Sequence, residues 1–272
     1  MKRENFEISS NGRIIKGILD IPNVPDPIPG MILCHGLTND KFTCPLIEDA
    51  SRFFVARGTA VLRFDFFGSG ESDGVFRDKT ISEMITNLGD AISYFRSREE
   101  IEKSKIGLWG RSVGGAVVAA CSNPNKIETN ILVSPPVLLH KTFFPLYERS
   151  GKKDMTPVGL SSQARDTATG KVKGELELSR IFFEELETLE RQIAGNLARM
   201  RSVLIIQGDN DKKVAVENAR YAYSLVQEPK RLEILNGADH AYLGKENEVM
   251  DIVKDWIEQL GMKSHPVFQT ST

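Results

Sequence analysis

The chain has 272 residues, 40% of them hydrophobic and 26% charged, which supports one substantial core. Its 35 Lys and Arg against 37 Asp and Glu leave a formal net charge of -2, and this balance offers no long-range field to nucleic acid or an anionic membrane. No segment approaches the ~20 apolar residues that span a bilayer, and the basic start has no apolar run behind it, so a soluble, cytoplasmic protein is expected.

The segments Phe6 to Ser9 and Arg13 to Ile21 alternate apolar and polar residues around Asn11-Gly12, which predicts a hairpin. After the Pro-rich stretch Pro22 to Pro29, the short apolar run Met31 to Cys34 has the character of a strand covered on both faces. The same signature returns at Ala60 to Phe64, Ile106 to Trp109 and Asn130 to Val133. Helical periodicity fills the intervals, as at Ile47 to Ala56 and at Ile81 to Phe95, the latter opened by a Thr80-x-x-Glu83 capping box. Alternating strands and helices predict an α/β fold with a doubly wound, mostly parallel sheet.

The stretch from Val133 to Ser202 is far longer than an ordinary crossover, so a partly helical cap is expected to be inserted there. Leu176 to Leu189 carries apolar residues at helical spacing. The alternation resumes with a strand at Val203 to Ile206, a helix near Val216 to Val226, a strand at Leu232 to Leu235 and a closing helix from Glu246 to Leu260. The predicted organisation is a core of residues 1–136 and 200–262, a cap of 137–199 and a frayed tail of 263–272.

Chemistry enters at Gly110-Arg111-Ser112-Val113-Gly114, between the strand ending at Trp109 and an Ala/Val-rich helix. In a G-x-S-x-G elbow the serine occupies a sharp strand-to-helix turn, and the glycines spare the backbone collisions that β-carbons would cause. Ser112 is the candidate nucleophile, and the Val113 N–H faces a developing oxyanion. Of the four histidines, His35 precedes the elbow, His140 opens the cap and His265 lies in the tail. His240, in the loop after the strand Leu232 to Leu235, is the one placed to act as base. An acid belongs after the strand ending at Ile206, where Asp209 and Asp211 compete. A second oxyanion donor is sought after the first buried strand, where the Leu37 N–H is the candidate and His35 shapes the loop.

These motifs run in order over nearly the whole chain: His35-Gly36-Leu37-Thr38, Arg63 to Gly74, the elbow, Gly208-x-x-Asp211-x-x-Val214 and Gly237-Ala238-Asp239-His240. In this the chain resembles the α/β-hydrolase superfamily, in its cinnamoyl and feruloyl esterase-like and serine aminopeptidase-like branch. The resemblance implies that Asp211 is the acid, that Leu37 and Val113 supply the oxyanion hole, and that Arg63 to Gly74 is structural. Many members carry histidine where this chain has Arg111, a change that bears on packing and charge under the elbow.

The activity expected is hydrolysis of a small-molecule acyl ester, of the carboxylesterase type, through a Ser-His-Asp catalytic triad and an acyl-enzyme. The same triad cleaves amides, so a peptidase is the nearest alternative, and a non-catalytic ligand-binding protein of the same fold is a further one. No metal, nucleotide or flavin cofactor is implied. Cys34, Cys44 and Cys121 lack CxxC spacing, and the elbow has neither a P-loop lysine nor a dinucleotide context. The sequence is compatible with a homodimer and has no feature that sets the oligomeric state.

Overall fold

Asn11 and Gly12 adopt φ values of 53° and 75°, the left-handed pair that a two-residue hairpin turn requires. They join β1 (Lys2–Ser10) to β2 (Arg13–Ile21) in antiparallel register. This is a computed structural model that describes residues 1–25, 27–121, 127–158 and 176–262, so the predicted tail and much of the predicted cap's polar middle lie outside the described residues.

The remaining elements follow the expected alternation. They are β3 (Ile28–Cys34), α1 (Pro45–Val55), β4 (Ala60–Phe64), α2 (Ile81–Ser97), β5 (Ile101–Arg111), α3 (Val113–Cys121) and β6 (Asn130–Val133). After the insertion come β9 (Val203–Gly208), α7 (Glu217–Leu225), β10 (Lys230–Leu235) and α8 (Glu246–Gln259). The eight strands order as β1-β2-β4-β3-β5-β6-β9-β10, antiparallel at β1/β2 and β2/β4 and parallel from β4 to β10. β3, β5 and β6 sit centrally, so both faces of their apolar runs are covered.

One face packs against α2, α3 and α7, the other against α1 and α8. On the second face the buried Trp256 of α8 donates through Nε1 to Thr129 Oγ1 at 2.9 Å, which fixes the closing helix to the sheet while satisfying the indole. Thr80 caps α2 as the capping-box pattern predicted, its Oγ1 accepting from the Glu83 N–H at 3.1 Å.

Between β6 and β9 the chain forms α4 (Leu139–Arg149), the short antiparallel pair β7 (Met155–Val158) and β8 (Leu176–Ser179), α5 (Arg180–Glu184) and α6 (Leu186–Leu197). The helical spacing read from Leu176 therefore begins only at Arg180. Leu176 and Leu178 satisfy a period of two as well as one near 3.6, and pairing with β7 selects the strand. The break between α5 and α6 falls at Glu185, whose carboxylate accepts from the Ile81 and Ser82 N–H groups at the start of α2. A carboxylate there satisfies orphan donors and meets the positive end of the helix dipole. Phe143, Phe182, Leu186 and Leu197 from this segment belong to the same buried cluster as Val117 of α3 and Leu132 of β6, so the insertion is packed into the core. Among the described residues no helix is long and apolar enough to cross a membrane.

Candidate active site

The elbow is built by steric necessity. Ser112 has φ 53°, in the left-handed region, and its N–H donates to the Val133 carbonyl at 2.8 Å, which ties the turn to the neighbouring strand. A β-carbon on Gly110 would collide with the Gly114 carbonyl, and one on Gly114 with the carbonyls of Cys34 and His35. The glycines thus let α3 begin directly beneath β3 and β5, with Ser112 at the carboxyl edge of the sheet.

A pocket of about 400 Å³ opens at that edge. Ser112, Val113, Leu37 and His240 line it, roofed by Phe143 of α4 and Val158 of β7. A larger cavity of about 630 Å³ lies at the amino end of the strands, floored by Met31, Phe53 and Phe54, and contains none of the candidate residues. His240 Nδ1 lies 2.7 Å from Asp211 Oδ2, so the ring donates there and leaves Nε2 as the acceptor. Asp211 lies behind the ring, outside the pocket wall, and is only 8% exposed. Its carboxylate also accepts from the N–H groups of Lys213 at 2.8 Å and Val214 at 2.9 Å and from Gln207 Nε2 at 3.1 Å. Asp209 has a different position: its Oδ1 accepts from the Gly237 N–H at 2.7 Å and shapes the turn. No hydrogen bond joins Ser112 to His240, a distance that catalytic pairs often close only around substrate.

Electrostatics follow from this packing. Burial lowers the affinity of His240 for a proton, the hydrogen bond to Asp211 raises it, and the charges of Arg111 and Lys213 lower it again, leaving it below the ordinary 6.5. Burial pushes the Asp211 carboxyl up, but the His240 hydrogen bond and charge and the two backbone donors outweigh it, so it ends below 3.8. A neutral imidazole held by an ionised carboxylate can accept a proton from a nearby hydroxyl.

Leu37 and Val113 are both buried, and no hydrogen bond from either backbone N–H is found among the described residues. Val113 opens α3, where first-turn donors have no partner inside the helix. Both residues line the same pocket as Ser112. The Leu37 loop is held from below. Lys79 Nζ donates to the Leu37 carbonyl at 2.9 Å, while the backbone N–H of Lys41 donates to Asp65 Oδ1 at 2.7 Å and its buried ammonium pairs with Asp65 Oδ2 at 2.5 Å. Breaking a buried pair of this kind costs about 3–5 kcal/mol. His35 Nδ1 lies 2.7 Å from the Gly36 carbonyl and its Nε2 accepts from the Phe66 N–H, which commits both ring nitrogens to the loop.

Three supports were not anticipated. Arg111, whose Nη2 donates to the His240 carbonyl at 2.5 Å, clamps the elbow to the histidine loop. Buried Tyr242 anchors the same loop to the sheet through Ser134 at 2.8 Å and the Ile206 carbonyl at 3.2 Å. Lys79 braces Leu37 from far along the chain, and nothing local in the sequence marks that contact. Among the described residues no group of three or more His, Cys, Asp or Glu could hold a metal ion.

An eight-stranded, mostly parallel sheet with an elbow at its carboxyl edge is the architecture of an α/β-hydrolase. Residues 26–248 match the family described as Serine aminopeptidase, S33, and the chain belongs to that family of hydrolases. Est1E from Butyrivibrio proteoclasticus, in a structure with ferulic acid bound, superposes with a TM-score of 0.79 at 21% identity over 95% of this chain and 100% of that one. The polyketide transferase grgF of Penicillium sp. is 23% identical over 78% of this chain and 81% of its own length. The thiohydrolase aneE of Aspergillus aculeatus is 32% identical over 42% of this chain and 36% of its own length.

Proposed function

We propose that the protein is a serine esterase of the carboxylesterase type. The observation that carries the reading is the 2.7 Å contact between Asp211 and His240, whose ring lines the pocket that Ser112 enters from its elbow. Ser112 attacks the acyl carbon as His240 Nε2 takes its proton, and Asp211 stabilises the imidazolium. The Leu37 and Val113 amides hold the tetrahedral oxyanion. His240 then protonates the leaving group, and water repeats the cycle on the acyl-enzyme. Residues 137–199 serve as the cap over a hydrolase core of 1–136 and 200–262, and the apolar faces of Phe143 and Val158 receive the acyl chain.

The family description supports amide cleavage as a second reading, and the aneE likeness extends the ester reading to thioesters. A graded panel of p-nitrophenyl esters, acyl thioesters and aminoacyl p-nitroanilides, given to the protein and to Ser112→Ala, tests the proposal. Ester or thioester turnover that disappears with Ser112 is the expected result. Anilide turnover alone establishes the peptidase, and silence on every substrate overturns the enzymatic reading.

A further inference from the structure

The chain carries slightly more acid than base, yet among the described residues its candidate pocket is lined by four cations, Arg111, Arg149, Lys212 and Lys213, and by no carboxylate. Many basic residues elsewhere are paired, Arg63 with Asp20 and Glu48, Arg98 with Glu4 and Glu100, Arg52 with Asp49. Arg149, Lys212 and Lys213 are exposed and make no ion pair among the described residues. Arg111 is only 4% exposed, and its Nε is buried without a hydrogen-bond partner. Among the described residues Arg111 makes no ion pair either, and a buried guanidinium without a paired carboxylate is costly unless a ligand supplies the counter-charge. The nearby acids are otherwise engaged. Asp211 is spent on His240, and Asp239 Oδ1 accepts from the Ala241 and Leu243 N–H groups. The positive charges act on one another: partial desolvation lowers the proton affinity of Lys213, exposed though the residue is, Arg111 lowers it further, and the charges of Asp211 and Asp239 only partly offset this.

These charges also have a side. Lys212 and Lys213 follow Asp211 directly, and the charges of Arg111 and Lys213 are both felt at His240. The apolar residues Leu37, Val113 and Phe143 make up much of the rest of the wall. Resting on the esterase reading above, in which His240 protonates the leaving group, we propose that the substrate is an ester or thioester with an apolar acyl chain and an oxyanion, carboxylate or phosphate, on its leaving group. The anion is received by Lys212, Lys213 and Arg149 at the mouth, with Arg111 beneath them.

The test compares 4-(butanoyloxy)benzoate and 4-(butanoyloxy)phenyl phosphate with the neutral methyl 4-(butanoyloxy)benzoate, each kcat/KM normalised to the hydroxide rate of the same ester. Expected is a preference for the anionic esters of about tenfold, falling as salt rises toward ~0.5 M, since exposed charges are screened. Which of the two anions leads separates a carboxylate from a phosphate source. The Lys212→Gln/Lys213→Gln double variant lowers the anionic-to-neutral ratio about three- to tenfold, and Lys212→Arg/Lys213→Arg restores it. A ratio near one in the native protein, with Ser112-dependent turnover of the neutral ester, overturns this inference and leaves the esterase standing. Loss of every Ser112-dependent turnover overturns the esterase instead. Calorimetric titration of Ser112→Ala with 4-hydroxybenzoate and with its methyl ester still decides the inference in that event: tighter binding of the anion, weakened in the double glutamine variant, supports it, and equal affinity overturns it.

Discussion

The floor and the roof of the pocket are built on different principles. The floor is the carboxyl edge of a parallel sheet, where Ser112, Asp211 and His240 each follow the end of a strand and are held by backbone hydrogen bonds and glycine-enforced close approach. The roof, α4 and β7, is made of amphipathic pieces whose direction depends on what they pack against. Geometry at the floor tolerates little displacement, because backbone meets backbone; the roof can change side chains and keep its fold. Chemistry is therefore expected to depend on the floor, and choice of substrate on the roof and mouth.

Substitutions separate the two. The largest effect is expected at the floor: Ser112→Ala lowers kcat by roughly 10⁴- to 10⁶-fold on any ester turned over, with the melting temperature little changed. Retained turnover in that variant places the activity elsewhere. Asp211→Asn follows at roughly 10⁴-fold in kcat, since the amide favours the wrong imidazole tautomer, whereas Asp209→Asn, one turn away, changes kcat by less than about threefold. Equal losses at both aspartates in steady-state assays break the distinction drawn from the 2.7 Å contact. At the roof, Phe143→Ala leaves kcat within a few-fold and raises KM for longer acyl chains by about tenfold, the value of a modest apolar contact. A loss in kcat for all chain lengths instead makes the roof part of the chemistry.

The smallest effect is electrostatic. In the proposed mechanism His240 works neutral, and its proton affinity lies below the ordinary 6.5, so kcat/KM is expected to rise with pH through a midpoint under that value. A positive neighbour favours the neutral ring, so Lys213→Gln removes a lowering influence and moves the midpoint upward by a few tenths of a unit. At a pH near that midpoint this reads as a rate loss of about twofold, measured as a full profile of kcat/KM. An unmoved midpoint means that Lys213 does not act on His240.

Much of the floor was legible before the fold. A strand buried on both faces reads as a continuous apolar run, so Met31 to Cys34, Ala60 to Phe64 and Asn130 to Val133 declared themselves, and the G-x-S-x-G spacing marked the elbow. Turn chemistry alone leaves Asp209 and Asp211 open and family position favours Asp211; in the fold Asp211 meets His240 and Asp209 accepts from the Gly237 N–H. The insertion was legible as an insertion, through the length between β6 and β9, but not in its parts. Leu176 to Ser179 fits two periodicities, and only pairing with β7 resolves them.

What the sequence determined by itself are features that local backbone physics imposes: strand and helix order, a tight left-handed turn at Asn11-Gly12, and the elbow whose glycines admit the close crossing of α3 beneath β3. What tertiary structure decided are contacts between residues distant in the chain. Arg111 reaches the His240 carbonyl, Lys79 reaches Leu37, Glu185 caps α2, and four cations gather around one pocket in a chain of nearly balanced charge. No period or spacing encodes such meetings, because charge and hydrogen bonding act through space and the partners are chosen only when the layers pack.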